Sequence, residues 1–472
     1  MRKLNDTIVA ISTPVGQGGI GIVRLSGKQS LSIADKIFKP ANHNGKRVLK
    51  PSGFKTHTVR YGWIMDNLKK RSGKASIIDE VLLTVMRSPK TYTREDIVEI
   101  NCHSGIVPLK RILDLVLNRG ARLAEPGEFT RRAFLNGRID LVQAESVLDI
   151  IRTKSEHYHK ACLDRLGGSF SRHIELISED LFEIISKLEA QIDFPEDAAH
   201  QPVEKLLPSI ENVRARLMAC LKSTQESKSI RDGVSVAIAG RPNVGKSSLL
   251  NALINEDRCL VTPFAGTTRD AIEESICFDA IPLRFIDTAG LRKALNPVEK
   301  QAALRSEKLI DSAQLVLLVF DASASAKRDD AVFIEKFKDK KNVLAVLNKI
   351  DLPIKFNDAV IKKRFGKPVR ISALRRVNLE ALKKRIVGMV WQGKLTSDDC
   401  VFLLNARQEK LLDESTWYLK NACFSLKGGL SVEIVAEDLK KAFATLSRLF
   451  GKSCDPEEEL LDTIFSQFCI GK

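Results

Sequence analysis

Gly240-Arg241-Pro242-Asn243-Val244-Gly245-Lys246-Ser247-Ser248, followed by Leu249-Leu250-Asn251, fits the pattern G-x-x-x-x-G-K-[ST]. The apolar run Ser235-Val236-Ala237-Ile238-Ala239 before it reads as a buried parallel strand, and Ser248 to Ile254 reads as a helix opening. Gly240 and Gly245 let the backbone curl so that several N–H groups and the helix N-terminus face a phosphate. Lys246 would neutralise the β- and γ-phosphates of a nucleotide, and the Ser247 hydroxyl would hold Mg²⁺. The bland alternative is a glycine turn before a helix. All four fixed positions match between a strand and a helix, which argues against it.

Three further stretches follow in the order a GTPase needs. Asp287-Thr288-Ala289-Gly290 ends the apolar run Leu283 to Ile286. An Asp there can reach Mg²⁺ through water, and Gly290 can turn its N–H toward the γ-phosphate. Asn348-Lys349-Ile350-Asp351 ends the next buried run, Val343 to Leu347. A carboxylate there accepts hydrogen bonds from the guanine N1–H and 2-amino group, which adenine lacks. Ser372-Ala373, after Val369-Arg370-Ile371, supplies backbone to the guanine O6. Asn243, Val244 and Ser248 complete the nucleotide-binding set. Gly266-Thr267-Thr268-Arg269-Asp270 supplies a mobile switch, with Thr268 a second hydroxyl for Mg²⁺. Leu291 stands where Ras-type proteins carry a water-orienting Gln, so another group must position the water.

At 472 residues the chain has room for about three domains with cores of their own. Hydrophobic content of 44% and charged content of 28% suit a globular protein. No apolar run approaches the ~18 residues of a membrane span, so no membrane association is expected. Met1-Arg2-Lys3 passes straight into strand-like Thr7 to Ile11, leaving no room for a targeting peptide. Nine scattered cysteines without a C-x-x-C pair suggest reduced thiols in a cytoplasm, and seven histidines show no ligand spacing. The net charge of +16 is unevenly spread. Residues 1–100 hold 18 Lys/Arg against 8 Asp/Glu, and residues 351–400 hold 12 against 5. A polyanionic partner, most plausibly nucleic acid, fits this balance.

Residues 1 to about 120 read as mixed α/β. Strands are expected at Thr7–Ile11, Gly21–Leu25, Glu80–Met86 and Asp96–Asn101, and helices at Ser30–Phe38 and Val107–Leu117. Gly16-Gln17-Gly18-Gly19-Ile20-Gly21 resembles a dinucleotide fingerprint, but no helix opens after it, so it reads as a loop between strands. From Glu128 to about Ser227 the period becomes helical, as in Leu141, Ala144, Val147, Leu148 and Ile151. Helical spacing resumes at Leu403–Leu412 and Leu439–Phe450. Two helical stretches flanking an α/β domain predict one helical domain with the nucleotide-binding domain inserted as a unit. The expected fold is therefore multidomain α/β: residues 1–122, a folate-binding-like α+β domain; 123–230 and 394–472, the helical domain in two parts; 231–393, a P-loop GTPase with a doubly wound, mostly parallel sheet.

The chain closes with Phe468-Cys469-Ile470-Gly471-Lys472. With Asp6-Thr7-Ile8-Val9-Ala10, Gly127-Glu128-Phe129-Thr130, Ala133-Phe134-Leu135-Asn136-Gly137-Arg138-Ile139-Asp140-Leu141 and Gly266-Thr267-Thr268-Arg269-Asp270, it resembles the MnmE (TrmE) family of tRNA modification GTPases. The resemblance runs from residue 6 to the last. It implies a homodimer whose N-terminal domain binds 5-formyl-tetrahydrofolate or a related one-carbon folate. It further implies a K⁺ ion in place of an arginine finger and a heterotetramer with an FAD protein of the MnmG type. That complex installs a carboxymethylaminomethyl or aminomethyl group on the wobble uridine of certain tRNAs.

Carried over residue by residue, the resemblance places K⁺ contacts at Asn243, Thr262, Phe264 and Thr267, with Thr262 and Phe264 offering backbone carbonyls. Glu299, twelve residues after Asp287, would orient the attacking water through a second water. The alternative for a bare residue after Pro297, the lesser of the two readings, is a helix N-terminal Glu. Folate contacts would fall on Arg24, Glu99 and Arg138, with Lys472 near the pocket and Cys469 a functional thiol at its mouth. Arg138 stands where many members have lysine, and Cys102-His103-Ser104-Gly105 replaces the commoner Gly-His-Gly-Gly. The rival class is a GTPase acting as an RNA-binding ribosome-assembly factor. The folate-type N-terminal domain and the terminal cysteine motif separate the two.

Overall fold

The computed structural model describes residues 6–16, 18–41, 49–66, 76–153, 156–193, 203–256, 274–278, 281–286, 313–391, 402–451 and 458–472. The chain divides into two compact units, Met1–Ile151 with Asp164–Arg214 and Lys410–Lys472, and Arg152–Leu163 with Ala215–Glu409.

The first unit is built on a seven-stranded sheet. Its strands are β1 (Ile8–Ile11), β2 (Gly18–Ser26), β3 (Phe38–Pro40), β4 (Thr58–Asp66), β5 (Ser76–Met86), β6 (Ile97–Ser104) and β7 (Arg122–Leu123), ordered β3-β4-β5-β6-β2-β1-β7. All pairs are antiparallel except β1 with β7. Strand alternation sorts the side chains onto two faces. Val9, Val23, Leu25, Val98 and Ile100 join one core with the apolar sides of helices Ser30–Ile37 and Ile106–Leu117. The intervening positions Ile8 and Ala10 face the other way and pack with Ala124 and Phe129, the latter on helix Glu128–Leu135. Arg24 and Glu99 are cross-strand partners out of phase with Val23 and Val98.

The Gly16–Gly21 run, expected as a loop, begins β2 at Gly18. Gly18 and Gly21 pair with Ser104 and Cys102 across an irregular register. A Cβ on Gly21 would lie 2.8 Å from the Leu109 side chain. The glycine is needed for close approach of the helix, not for a turn.

The rest of this unit is helical. Helix Ser169–Asp193 buries Phe170, Ile174, Ile177, Leu181, Ile184, Ile185 and Leu188, a stripe at three- and four-residue spacing, and packs against helix Val432–Phe450. The final helix, Glu458–Phe465, seats Leu461, Ile464 and Phe465, with Phe468 just beyond, against Ala133, Ile139, Leu141 and Ala144. That is the docking its apolar stripe predicts.

A buried charge network ties the chain's start to helix Glu128–Leu135. Arg132 is 1% exposed and donates to Asp6 (2.6 Å), Glu128 (2.9 Å) and Glu95 (3.1 Å). Arg122 reaches Asp6 (2.8 Å) and Glu128 (2.6 Å). Burial pushes the Asp6 and Glu128 carboxyls up. Hydrogen bonds from Arg122 and Arg132 outweigh it and hold both below their usual range.

The second unit holds a six-stranded sheet of β8 (Val234–Ala239), β9 (Glu274–Phe278), β10 (Ile281–Ile286), β11 (Leu315–Asp321), β12 (Val343–Asn348) and β13 (Val369–Arg370), ordered β13-β12-β11-β8-β10-β9. Five strands run parallel and β9 is antiparallel to β10. Val236, Ile238, Leu317, Val319, Leu344 and Val346 pack under helices Lys246–Glu256 and Leu379–Trp391. Ala237, Val316, Leu318, Ala345 and Leu347 pack under helices Arg328–Phe337 and Ala359–Phe365. With both faces covered, β11 and β12 are buried at every position, hence their uninterrupted apolar sequence. Among the described residues no helix is long and apolar enough to cross a membrane.

Replacing Arg132 strands partly buried carboxylates, so Arg132→Met is expected to cost about 3–5 kcal/mol. The depressed carboxyls contribute stability that is full above their unfolded values, 3.8 for Asp6 and 4.5 for Glu128, and is lost as pH falls through their lower folded values. Thermal melts across acid pH should therefore show a weaker acid limb in Arg132→Met than in the wild type. Superimposable acid limbs would remove the network from the stability account.

Candidate nucleotide site and a second polar pocket

Parallel strands end together, and the loops beyond β8, β12 and β13 meet at one end of the second sheet. The loop after β8 needs its glycines: Gly240 has φ +146 and Gly245 φ +94. A Cβ on Gly240 would fall 2.3 Å from the Val319 carbonyl oxygen. Asn243 also takes a left-handed conformation, at φ +65. Lys246 opens the helix and folds its ammonium back to the Gly240 (2.8 Å) and Arg241 (2.9 Å) carbonyls. This fixes the cation over the cradle. Ser247 and Ser248 are exposed in the first helical turn, so the Ser247 hydroxyl is open to a Mg²⁺ ligand role. Val244 is buried and holds the loop down by packing.

Asn348 is buried at the end of β12, and both ends of its amide are engaged. Its Nδ2 donates to the Val244 carbonyl (2.9 Å), and its Oδ1 accepts from the Lys349 (2.8 Å) and Ala373 (3.0 Å) amides. It bolts the phosphate loop to the two base-recognition segments. Lys349, at φ +68, donates from Nζ to the Asn243 carbonyl and to Asp321, both at 2.7 Å. The Ser372 hydroxyl donates to Asp351 Oδ1 (2.6 Å) and accepts from the Arg375 amide (3.1 Å). Asp351 is exposed, pre-aligned by that bond to accept from a base edge.

Asp321 was not anticipated from sequence. Burial pushes its carboxyl up, but the Lys349 and Ser323 hydrogen bonds prevail and hold it low. It ends an apolar strand, as Asn348 does, so strand-end position would have found it. Thr262, Phe264, Thr267, Thr268, Asp287, Gly290, Leu291 and Glu299 lie outside the described residues.

The first unit gathers a second polar cluster. Arg24 Nε donates to Glu99 Oε1 (2.7 Å), and Arg24 Nη1 to the Gly471 carbonyl (3.2 Å). Among the described residues, Arg24 Nη2 and Glu99 Oε2 have no hydrogen-bond partner, leaving a donor and an acceptor side by side. The Arg24 guanidinium lies 5.7 Å from the Phe129 ring centroid, and that of Arg138 lies 4.8 Å from that of Tyr92. The Tyr92 hydroxyl hydrogen-bonds Thr130 (2.9 Å). Burial pushes its pKa above the usual 10.0, against the pull of the Thr130 bond and the Arg138 and Arg24 charges.

The terminal residues complete this cluster. The Gly127 amide donates to the Cys469 carbonyl (3.4 Å) and the Phe129 amide to the Lys472 carbonyl (3.1 Å), while Pro126 bridges Ile470. Gly471, at φ +93, leaves no room for a Cβ, which would lie 2.6 Å from the Ile11 carbonyl oxygen. Cys469 is exposed and Lys472 half-buried beside it. Tyr92, Phe129 and the Gly471 carbonyl were missed by sequence reasoning, because each acts only through contacts distant along the chain.

Comparison with known proteins matches the MnmE helical domain to residues 141–469 and the GTP-binding protein TrmE N-terminus to residues 7–138. The tRNA modification GTPase MnmE of Levilactobacillus brevis is 43% identical over 472 residues, 99% of this chain and 98% of that protein. That of Desulforamulus reducens is 41% identical over 475 residues, 99% of this chain and 100% of that protein. Among solved structures, the G domain of the T. maritima FeoB iron transporter is similar over 33% of this chain and 98% of its own, at 30% identity and a TM-score of 0.25.

Asp351→Asn replaces an acceptor with an amide that can donate. Each lost hydrogen bond to the carboxylate is worth about 1.5–3 kcal/mol, so GTP affinity should fall roughly 10²-fold or more. Xanthosine triphosphate, with an oxygen in place of the 2-amino group, should bind better than GTP. Calorimetric titration of both nucleotides checks this, and undiminished GTP affinity would remove Asp351 from base recognition.

Proposed function

Because the chain belongs to the MnmE family of tRNA modification GTPases, we propose that it couples K⁺-stimulated GTP hydrolysis to modification of the tRNA wobble uridine. In this reading it works in the cytoplasm as a homodimer. With an MnmG-type FAD protein, in a heterotetramer, it installs a carboxymethylaminomethyl or aminomethyl group at C5. We assign residues 1–122 to folate binding and dimerisation, 123–230 and 394–472 to the helical domain, and 231–393 to the GTPase.

The observation that carries the proposal is that Arg24 bonds both Glu99 and the Gly471 carbonyl of a terminal segment held on Gly127 and Phe129, remote in sequence from the phosphate loop. A GTPase that only timed RNA assembly would have no use for it. The unused Arg24 donor and Glu99 acceptor suit a heterocycle bearing both, as the pterin ring of 5-formyl-tetrahydrofolate does. That folate would supply a one-carbon unit. Arg138 over Tyr92 would bracket the ligand, and Lys472 would close the pocket mouth.

At the nucleotide, Lys246 would hold the β- and γ-phosphates, Asp351 and the Ser372–Ala373 backbone would read guanine, and Gly290 would offer its amide to the γ-phosphate. Ser247 and Thr268 would hold Mg²⁺, with Asp287 reaching it through water; the ion neutralises developing phosphate charge. Asn243 would offer its side chain to K⁺, being exposed in the loop while its carbonyl is held by Lys349. Its partners would be Thr262, Phe264 and Thr267. Glu299 would orient the attacking water in the place that Leu291 vacates.

An arginine finger is worth ~10³–10⁵ in rate, and a fixed K⁺ should recover part of that. Hydrolysis is therefore expected to be at least about tenfold faster in K⁺ than in Na⁺ at matched ionic strength, a conservative share of that range. In Glu299→Ala it should slow while GTP affinity holds, because the residue acts only in the transition state. Equal rates in the two salts would sink the K⁺ assignment. Collapse of affinity in Glu299→Ala would make that residue structural.

A further inference from the structure

The second unit ends its sheet on a cationic rim. Between Asp351 and Trp391 stand eleven Lys/Arg and three Asp/Glu. β13 is the terminal strand of the sheet. Helix Ala359–Phe365 buries Ile361 against one face beside it, and helix Leu379–Trp391 buries Leu379, Leu382 and Ile386 against the other. The outward sides of both helices therefore flank β13. Lys363, Arg364, Lys367, Arg375, Arg376 and Lys384 are all exposed there. None of the six has an ion-pair partner among the described residues. The nearby acids are already engaged: Asp358 by Lys362 (2.8 Å) and Arg370 (2.9 Å), Glu380 by Lys383 (2.9 Å).

The loop that carries the arginine pair is held out from the sheet. Ser372 and Val377 pair in an antiparallel bridge, and Arg376 takes φ +55 between them. A cationic edge can serve only to block strand addition, but none of the six charges lies on β13 itself. A protein-docking surface would centre on apolar and aromatic side chains and be poor in lysine. Here Phe356 is buried and Phe365 half-buried, the exposed apolar side chains Val360, Leu374 and Val377 are aliphatic and interleaved with the charges, and lysine is abundant. Unpaired, mixed Lys and Arg spread over two helices and two loops match a run of phosphates better.

We propose that the β13 rim is the surface on which the sugar–phosphate backbone of tRNA docks. The inference rests on the reading of this chain as a tRNA-acting enzyme and names the surface that reading needs. It also puts the docked RNA beside guanine recognition, since the Arg375 amide supports Ser372, which supports Asp351.

The test compares the full-length wild type with Lys363→Glu/Lys367→Glu/Arg376→Glu, none of whose positions touches the nucleotide machinery. A control, Lys110→Glu/Lys410→Glu/Lys420→Glu, carries the same charge change at exposed sites elsewhere. Dissociation constants for an unmodified tRNA transcript are measured as KCl rises fourfold. Each lost phosphate contact flattens the log–log salt slope by about 0.7–0.9. The rim variant should bind more weakly than the control, with a slope lower by about 2–3. The gap from wild type should then shrink about sixteenfold or more over the series. GTP hydrolysis should be unchanged, which also verifies folding. Binding and slope equal to wild type would overturn the rim while leaving tRNA modification standing. Loss of affinity for the FAD protein with tRNA binding intact would make the rim a protein interface and equally overturn it. No tRNA binding by the wild type would overturn both the rim and the reading beneath it.

Discussion

The last five residues of the chain are bonded back to β2 and the start of helix Glu128–Leu135, and much of the architecture follows from that closure. Cys469 and Lys472 offer carbonyls to the amides of Gly127 and Phe129, and Gly471 takes a bond from Arg24 while lying against Ile11. A Cβ on Gly127 would lie 2.6 Å from the Phe465 carbonyl, so the approach is too close for any residue but glycine. Closing a loop of hundreds of residues costs only a little more entropy than closing one of tens, because the cost grows with the logarithm of length. The apolar docking of Leu461, Ile464, Phe465 and Phe468 supplies the opposing term. Given that closure, the helical segments on either side of the nucleotide-binding stretch belong to one body, and the stretch between them must leave and return.

The Arg132 network works on the same region from the other end. One buried guanidinium answers three carboxylates from the chain start, the turn before β6 and its own helix. The helix that receives the terminal tail is thereby held against β1 and β7. Packing and charge both converge on Glu128–Leu135, and the Arg24–Glu99 pair lies beneath it with one donor and one acceptor unspent.

What was legible in the sequence is what local chemistry dictates. The phosphate loop could be read because Gly240 and Gly245 are required by backbone angles within nine residues. The parallel strands could be read because burial on both faces leaves no polar position before the strand-end Asp321 and Asn348. The amphipathic helices showed their stripes, as at Leu141, Ala144, Val147 and Leu148. The rest depends on contacts between distant positions. Nothing local marks Tyr92 as the platform for Arg138, and although Asp321 ends an apolar strand, nothing local names Lys349 as its partner. Gly18 to Gly21 misled because a glycine run signals a turn, whereas here Gly21 serves close packing under Leu109. The proposed folate contacts rest only on family resemblance; a lone Arg or Glu at a strand end carries no signal of its own.

The nucleotide machinery and the terminal-tail pocket lie in different units of the chain, and the central claim is that one switches while the other takes part in the chemistry. The exposed Cys469 thiol allows a direct test, because sulfur to oxygen barely alters volume while it removes thiolate reactivity. The measurement is the amount of modified wobble nucleoside in digested tRNA from a strain whose only copy is the Cys469→Ser chain, set beside GTP hydrolysis by the same variant. The account predicts wild-type hydrolysis with the modified nucleoside absent or strongly reduced. Full modification by the serine variant would contradict it and leave Cys469 a residue of the tail's backbone path alone.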